Sequence, residues 1–192
     1  MVAVRVLALA LIVGLLVWSP SSGHAENSSP DHANHSGTTL FAQSAGEVLH
    51  RDFPDDHISF LLLDARTGAV LASRWDDPEA PIPLGSLVTP FAALAYAEQR
   101  ECRYTAHTCR GTATGCWLPQ GHGHIDLTSA IAYSCNSYFR ALTADMTASE
   151  ISPIANRFGL QAPAAEVSGA ALAGLSNRWL ISPLKMTRAY LE

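Results

Sequence analysis

The period of the apolar positions changes three times along the chain. Val6 to Trp18 is a continuous apolar run behind Arg5, short for a hydrocarbon core of ~30 Å. A stretch with Pro and Ser follows and ends in Gly23-His24-Ala25, with small residues at −3 and −1 of a possible cut. Residues 1–25 therefore read as an export signal. The alternative is an uncleaved anchor, because the apolar character reaches back to Val2. Ser19 to about Gly46 is rich in Ser, Gly, Asn and His and has no sustained period, so residues 26–51 are expected to be a flexible linker packed against nothing. His57–Asp64 and Ala69–Trp75 are then β-prone runs joined by Ala65-Arg66-Thr67-Gly68, which predicts a β-hairpin. The nearly unbroken apolar first strand predicts cover on both faces.

Beyond Trp75 the period becomes helical. Leu87 to Ala97 is apolar around most of its circumference and predicts a buried helix with Ser86 at its start. Ile125 to Tyr133 predicts a second helix with Asp126 as N-cap. A third spans Thr147 to Phe158 and stops at Gly159. Its start is open between a Thr147/Glu150 capping box and Ser152-Pro153. A last helix begins at Ser182-Pro183. Strands early and helices late suit an α+β architecture, hairpin strands packed on a helical cluster.

Composition narrows the function. The chain has 192 residues and a net charge of −5, which provides no basic field for a phosphate backbone and argues against nucleic-acid binding. Eleven of its 12 basic residues are Arg, and Lys185 is its single Lys. Export would place the four Cys outside the reducing cytosol, where thiols pair or do chemistry. Cys102, Cys109 and Cys116 recur at every seventh position and Cys135 follows at a distance. Four Cys allow three connectivities, and the spacing does not choose among them. His107, His122 and His124 would be available to a metal, yet no C-x-x-C or H-x-x-x-H spacing occurs, so neither a metal nor a cofactor is expected.

Several motifs coincide in order: Asp64-x-x-Thr67-Gly68-x-x-Leu71-Ala72, then Gly85-Ser86-x-x-Thr89-Pro90-Phe91, then Cys109-x-Gly111, Cys116-Trp117 and Gly121-His122-Gly123. Ala130-x-x-x-Ser134-Cys135-Asn136-x-Tyr138-Phe139 and Ser182-Pro183-Leu184-x-x-x-Arg188-Ala189-Tyr190 complete the series. From about Asp52 onward this succession resembles the transpeptidase domain of penicillin-binding proteins, serine acyltransferases that cross-link peptidoglycan. The resemblance adds to the α+β reading, sets its bounds at residues 52–192, and implies a partial transpeptidase fold, serine β-lactamase-like, whose late sheet strands are missing from the sequence. It also implies a site of three parts: S-x-x-K with nucleophile and base, S-x-N with a proton-shuttling hydroxyl and an amide, and K-T-G on a late strand. Ser86 matches the nucleophile, Ser134 the shuttle and Asn136 the amide. Thr89 stands where the family has Lys, and K-T-G is absent.

The chemistry explains why these departures matter. A serine hydroxyl is a poor nucleophile until a neighbour takes its proton, and a threonine hydroxyl is no base near neutral pH. Loss of the base costs about two to four orders of magnitude in rate, and loss of the third wall about two to three more. Two function classes follow. One is an exported transpeptidase homologue, weak or inactive, that binds peptidoglycan stem peptides or β-lactams covalently at Ser86. The other is a non-catalytic module, or a gene fragment, that contacts other cell-envelope proteins. Each site residue also has a structural reading: Ser86 as a helix N-cap, Ser134 and Asn136 as cap and turn between helices, Cys135 as a packed residue or disulfide partner, His122 and His124 as loop scaffolding.

Overall fold

The computed structural model describes residues 31–192, with side chains from residue 39 onward. The segment read as an export signal or anchor lies outside the described residues. No helix among the described residues is long and apolar enough to cross a membrane. The chain divides between Asp76 and Asp77 into two compact units.

The first unit is a helix on a hairpin. Helix α1 (Asp31–Asp52) packs along strand β2 (Val70–Arg74), which pairs antiparallel with β1 (Phe60–Leu63). The expected linker is thus helical through most of its length. Its second half, Leu40 to Arg51, carries Leu, Ala, Gln and Glu, which favour a helix, and contacts with the hairpin secure it. A Cβ on Gly46 would touch Ala72 Cβ at 3.5 Å, and the His50 ring meets the Phe60 edge at 5.1 Å. The register runs Phe60↔Arg74, Leu61↔Ser73, Leu62↔Ala72 and then slips to Leu63↔Val70. At the turn the Asp64 carboxylate accepts the amides of Arg66 at 2.8 Å and Thr67 at 2.9 Å, which holds its pKa below the usual range. Strand β1 departs from expectation: Phe60 is buried, but Leu61 to Leu63 are only half-buried. A two-stranded sheet with one helix does not close its second face.

In the second unit a 3-10 turn, Gly85–Val88, leads directly into α2 (Thr89–Gln99). Helices α3 (Leu127–Ala132), α4 (Asn136–Leu142), α5 (Ala148–Arg157) and α6 (Pro183–Ala189) follow. Two short antiparallel pairs brace them: β3 (Ile82–Pro83) with β6 (Leu180–Ile181), and β4 (His107–Cys109) with β5 (Gly123–Ile125). The caps follow the sequence closely. Asp126 accepts the Ser129 amide at 2.8 Å, and Ser182 Oγ accepts that of Lys185 at 3.2 Å. The open start of α5 resolves at Thr147, whose N–H donates to Glu150 at 2.7 Å. Pro153 lies inside that helix.

Two apolar clusters fill this unit. One packs α2 on α5 through Val88, Phe91, Ile151, Ile154, Leu172 and Ile181. The other gathers Cys109, Cys116, Ile125, Cys135, Tyr138 and Phe139 around α4 and β4. The 3-10 turn Gly169–Ala173 lies against α2, α4 and the turn at Gly85, placing Leu172 in the first cluster and Ala173 in the second. Close approach follows at Gly174, where φ is +70° and a Cβ would sit 1.9 Å from the Gly85 carbonyl oxygen. Only glycine fits there.

Two outcomes test this packing. Leu172→Ala, at a fully buried position, is expected to lower unfolding free energy by about 2–5 kcal/mol in urea titration. Gly174→Ala is expected to be destabilising by about 1–3 kcal/mol and to shift amide resonances of Gly85 and Ser86, its backbone neighbours, in NMR spectra.

Candidate active site

The three predicted site residues occupy two places in the second unit. Ser86 lies in the 3-10 turn before α2, half-buried, one residue after Gly85. Ser134 and Asn136 lie on the link between α3 and α4, also half-buried. The 3-10 turn Gly169–Ala173 contacts both the Ser86 turn and α4. Among the described residues no hydrogen bond joins Ser86 to Ser134 or Asn136.

The structural readings of these residues can be checked against their hydrogen bonds. The positions capping the Gly85–Val88 turn, α2 and α4 are Leu84, Val88 and Cys135, and none makes a side-chain cap bond. The hydroxyls of Ser86 and Ser134 and the Asn136 amide make no side-chain hydrogen bond among the described residues, so none is committed to capping. Thr89 differs. It is only 5% exposed, and its hydroxyl donates to the Ser86 carbonyl at 2.8 Å. The Thr89 side chain is therefore tied back onto its own turn.

The S-x-N turn has an unusual backbone. Ser134 has φ +49°, a left-handed conformation that costs a non-glycine residue about 1 kcal/mol or more. Its surroundings hold it there. The Cys135 amide donates to Ala130 at 2.9 Å, the Ser134 amide to Ile131 at 3.2 Å, and Trp117 Nε1 reaches the carbonyls of Ser134 at 3.0 Å and Tyr133 at 3.2 Å. Between the two polar residues, Cys135 is completely buried.

Cys135 does not sit alone. The ligating atoms of Cys109, Cys116, His122 and Cys135 all lie within 4.8 Å of one another, and none of the Cys is bridged. The linear spacing gave no sign of this group: four residues drawn from β4, two loop positions and the start of α4 converge without any short-range ligand motif. Neither His107 nor His124 belongs to the set. His107 Nε2 instead meets Ser137 Oγ at 2.7 Å. The only sequence signal was the recurrence of Cys109 and Cys116 beside Gly121-His122-Gly123. Cys102, the third member of the seven-residue recurrence, is exposed and apart. Burial pushes the Cys135 thiol up. At Cys109 burial acts in the same direction, but the amides of His122 and Gly111, with the His122 and Cys135 side chains, outweigh it and bring the thiol below its ordinary value.

Comparison with known proteins places this arrangement. The model of the penicillin binding protein transpeptidase domain matches residues 58–191. No curated protein matches the chain. Among solved structures, the apo transpeptidase domain of Burkholderia pseudomallei penicillin-binding protein 3 superposes with a TM-score of 0.56 at 17% identity, covering 81% of this chain and 55% of that one. A chain from a peptidoglycan synthase complex that coordinates polymerization and crosslinking gives 0.56 at 16%, covering 81% and 39%. The chain thus spans about half the length of the first of these and less of the second, and at such identities the likeness is one of fold. With short sheets, mixed helices and a family model that covers most of its length, this chain belongs to the penicillin-binding protein transpeptidase domain family.

Proposed function

We propose that this chain is a penicillin-binding, extracytoplasmic cell-wall protein whose Ser86 accepts an acyl group from a β-lactam or a peptidoglycan stem peptide, slowly and with little or no turnover. The observation that carries this reading is the contrast in the hydrogen bonding of the motif residues. Ser86, Ser134 and Asn136 keep half-exposed polar groups that no cap or turn consumes, while the Thr89 hydroxyl is spent on the Ser86 carbonyl. Membership of a family whose transpeptidase domains act outside the cytoplasm supports the location.

In this reading the Ser86 oxygen adds to the lactam or peptide carbonyl, forming the C–O ester bond. The C–N bond then breaks, and the hydroxyl proton passes through Ser134 to the departing nitrogen. Asn136 holds the substrate amide. Thr89 supplies neither a base nor a positive charge, so the first proton transfer is slowed by about two to four orders of magnitude relative to a site with the lysine.

Incubation of the folded chain with a fluorescent penicillin, followed by denaturing electrophoresis, tests the proposal. Slow covalent labelling is expected, absent in Ser86→Ala and slowed about 10²-fold or more in Ser134→Gly, which removes the hydroxyl but tolerates the left-handed backbone. No labelling at saturating probe would overturn it and leave the non-catalytic envelope module. Thr89→Lys is not expected to restore cross-linking of donor and acceptor peptides by these 192 residues, which contain no K-T-G; cross-linking by that single variant would refute the assignment of the defect.

A further inference from the structure

The acyl-transfer reading makes no use of Cys109, Cys116, His122 or Cys135, yet these four form the densest group of metal-binding atoms among the described residues. Their chemistry is specific. Three sulfurs and one imidazole nitrogen suit a borderline-soft, tetrahedral ion. The dimensions agree as well. Bond lengths of about 2.3 Å to sulfur and about 2.0–2.1 Å to nitrogen give tetrahedral edges of about 3.8 Å between sulfurs and about 3.5 Å between sulfur and nitrogen. The observed separations are 4.0 Å from Cys116 Sγ to Cys135 Sγ and 3.5 Å from Cys116 Sγ to His122 Nδ1.

The loop that carries these residues is built to hold them. Gly111 and Gly121 meet backbone to backbone: a Cβ on Gly111 would lie 1.9 Å from the Pro119 carbonyl oxygen, and one on Gly121 2.4 Å from that of Cys109. The Cys116 amide donates to Gly111 at 3.0 Å. The His122 ring stacks on Tyr133 at 5.7 Å with 12° between planes, and Trp117 meets its edge at 5.7 Å. Both flanking rings pack against the imidazole, whose Nδ1 faces Cys116. All three Cys are buried.

We propose that Cys109, Cys116, His122 and Cys135 form a closed Cys3His zinc site that clamps the turn between α3 and α4. Zinc binding there ties the buried Cys135 to β4 and to the glycine-braced loop, and so fixes the backbone from which Ser134 and Asn136 project. Three thiolates and one neutral imidazole leave the loaded site with a single negative charge, tolerable beside the amides of Gly111 and His122. The metal site stands whether or not Ser86 is acylated.

The full chain, purified reduced and without chelator, is expected to carry about one zinc ion by elemental mass spectrometry. Cys102→Ser and Ser86→Ala should keep it, while Cys116→Ser, His122→Ala and Cys135→Ser should lose it. Because ligand variants can fail to fold, the metal-stripped wild-type chain is also titrated with cobalt(II) under reducing conditions. Intense visible bands of a four-coordinate site with thiolate charge transfer, abolished by one equivalent of zinc, are expected. Three results would overturn the proposal: no uptake of zinc or cobalt by the reduced, folded chain; undiminished zinc in Cys135→Ser; or a Cys116–Cys135 disulfide as the form isolated under non-reducing conditions. Labelling of Ser86 by penicillin is scored separately, so failure of one reading leaves the other intact.

Discussion

The complete burial of Cys135 governs the candidate site. A side chain driven into the α4 cluster leaves its two neighbours directed elsewhere, and it is Ser134 and Asn136 that remain half-exposed on either side. The positive φ of Ser134 is the backbone cost of this arrangement. Contacts that reach the same turn offset it: the Trp117 indole on the carbonyls of residues 133 and 134, and the Cys135 amide on Ala130. Strain at a position presenting a polar side chain is characteristic of functional turns, where surrounding contacts over-determine a conformation the residue would not choose alone.

The Ser86 turn is held by a different device. Its neighbour Gly174 lies against the Gly85 carbonyl too closely for any Cβ, and Leu172, two residues earlier, is buried under α2 and α5. Ser86 therefore rides on the larger apolar cluster, whereas Ser134 and Asn136 ride on the smaller one. The 3-10 turn Gly169–Ala173 serves both, with adjacent residues Leu172 and Ala173 in different clusters. That turn touches both the Ser86 turn and α4.

Thr89 is where scaffold and chemistry separate. It is buried, begins α2 and returns its hydroxyl to the Ser86 carbonyl, so the side chain contributes to the local geometry of the turn that carries Ser86. What it cannot contribute is a basic or cationic end.

Much of the fold was legible in the sequence because its signals are local. The hairpin, the Asp126 and Ser182 caps and the stop at Gly159 each depend on residues within one turn of each other, and pattern alone located them; at α5 pattern offered Thr147 and Ser152 as starts, and the structure chose Thr147. Helix α1 was missed because its first half is mostly Asp, Asn, Ser, Gly, Thr and His and its contacts are with β2, some twenty residues away. Helix α4 was missed because Ser134 and Asn136 read as cap and turn, while its buried face, Tyr138 and Phe139, packs in the cluster around β4. The candidate acyl-transfer residues could be named from motif order, and the substitution at Thr89 was visible as a letter. That its hydroxyl is consumed required coordinates. The Cys and His cluster is the clearest division: the sequence supplied the thiols and the imidazole, but their convergence from residues 109, 116, 122 and 135 depends on glycine-to-glycine backbone contact and on the burial of one side of α4, and no linear spacing encodes either.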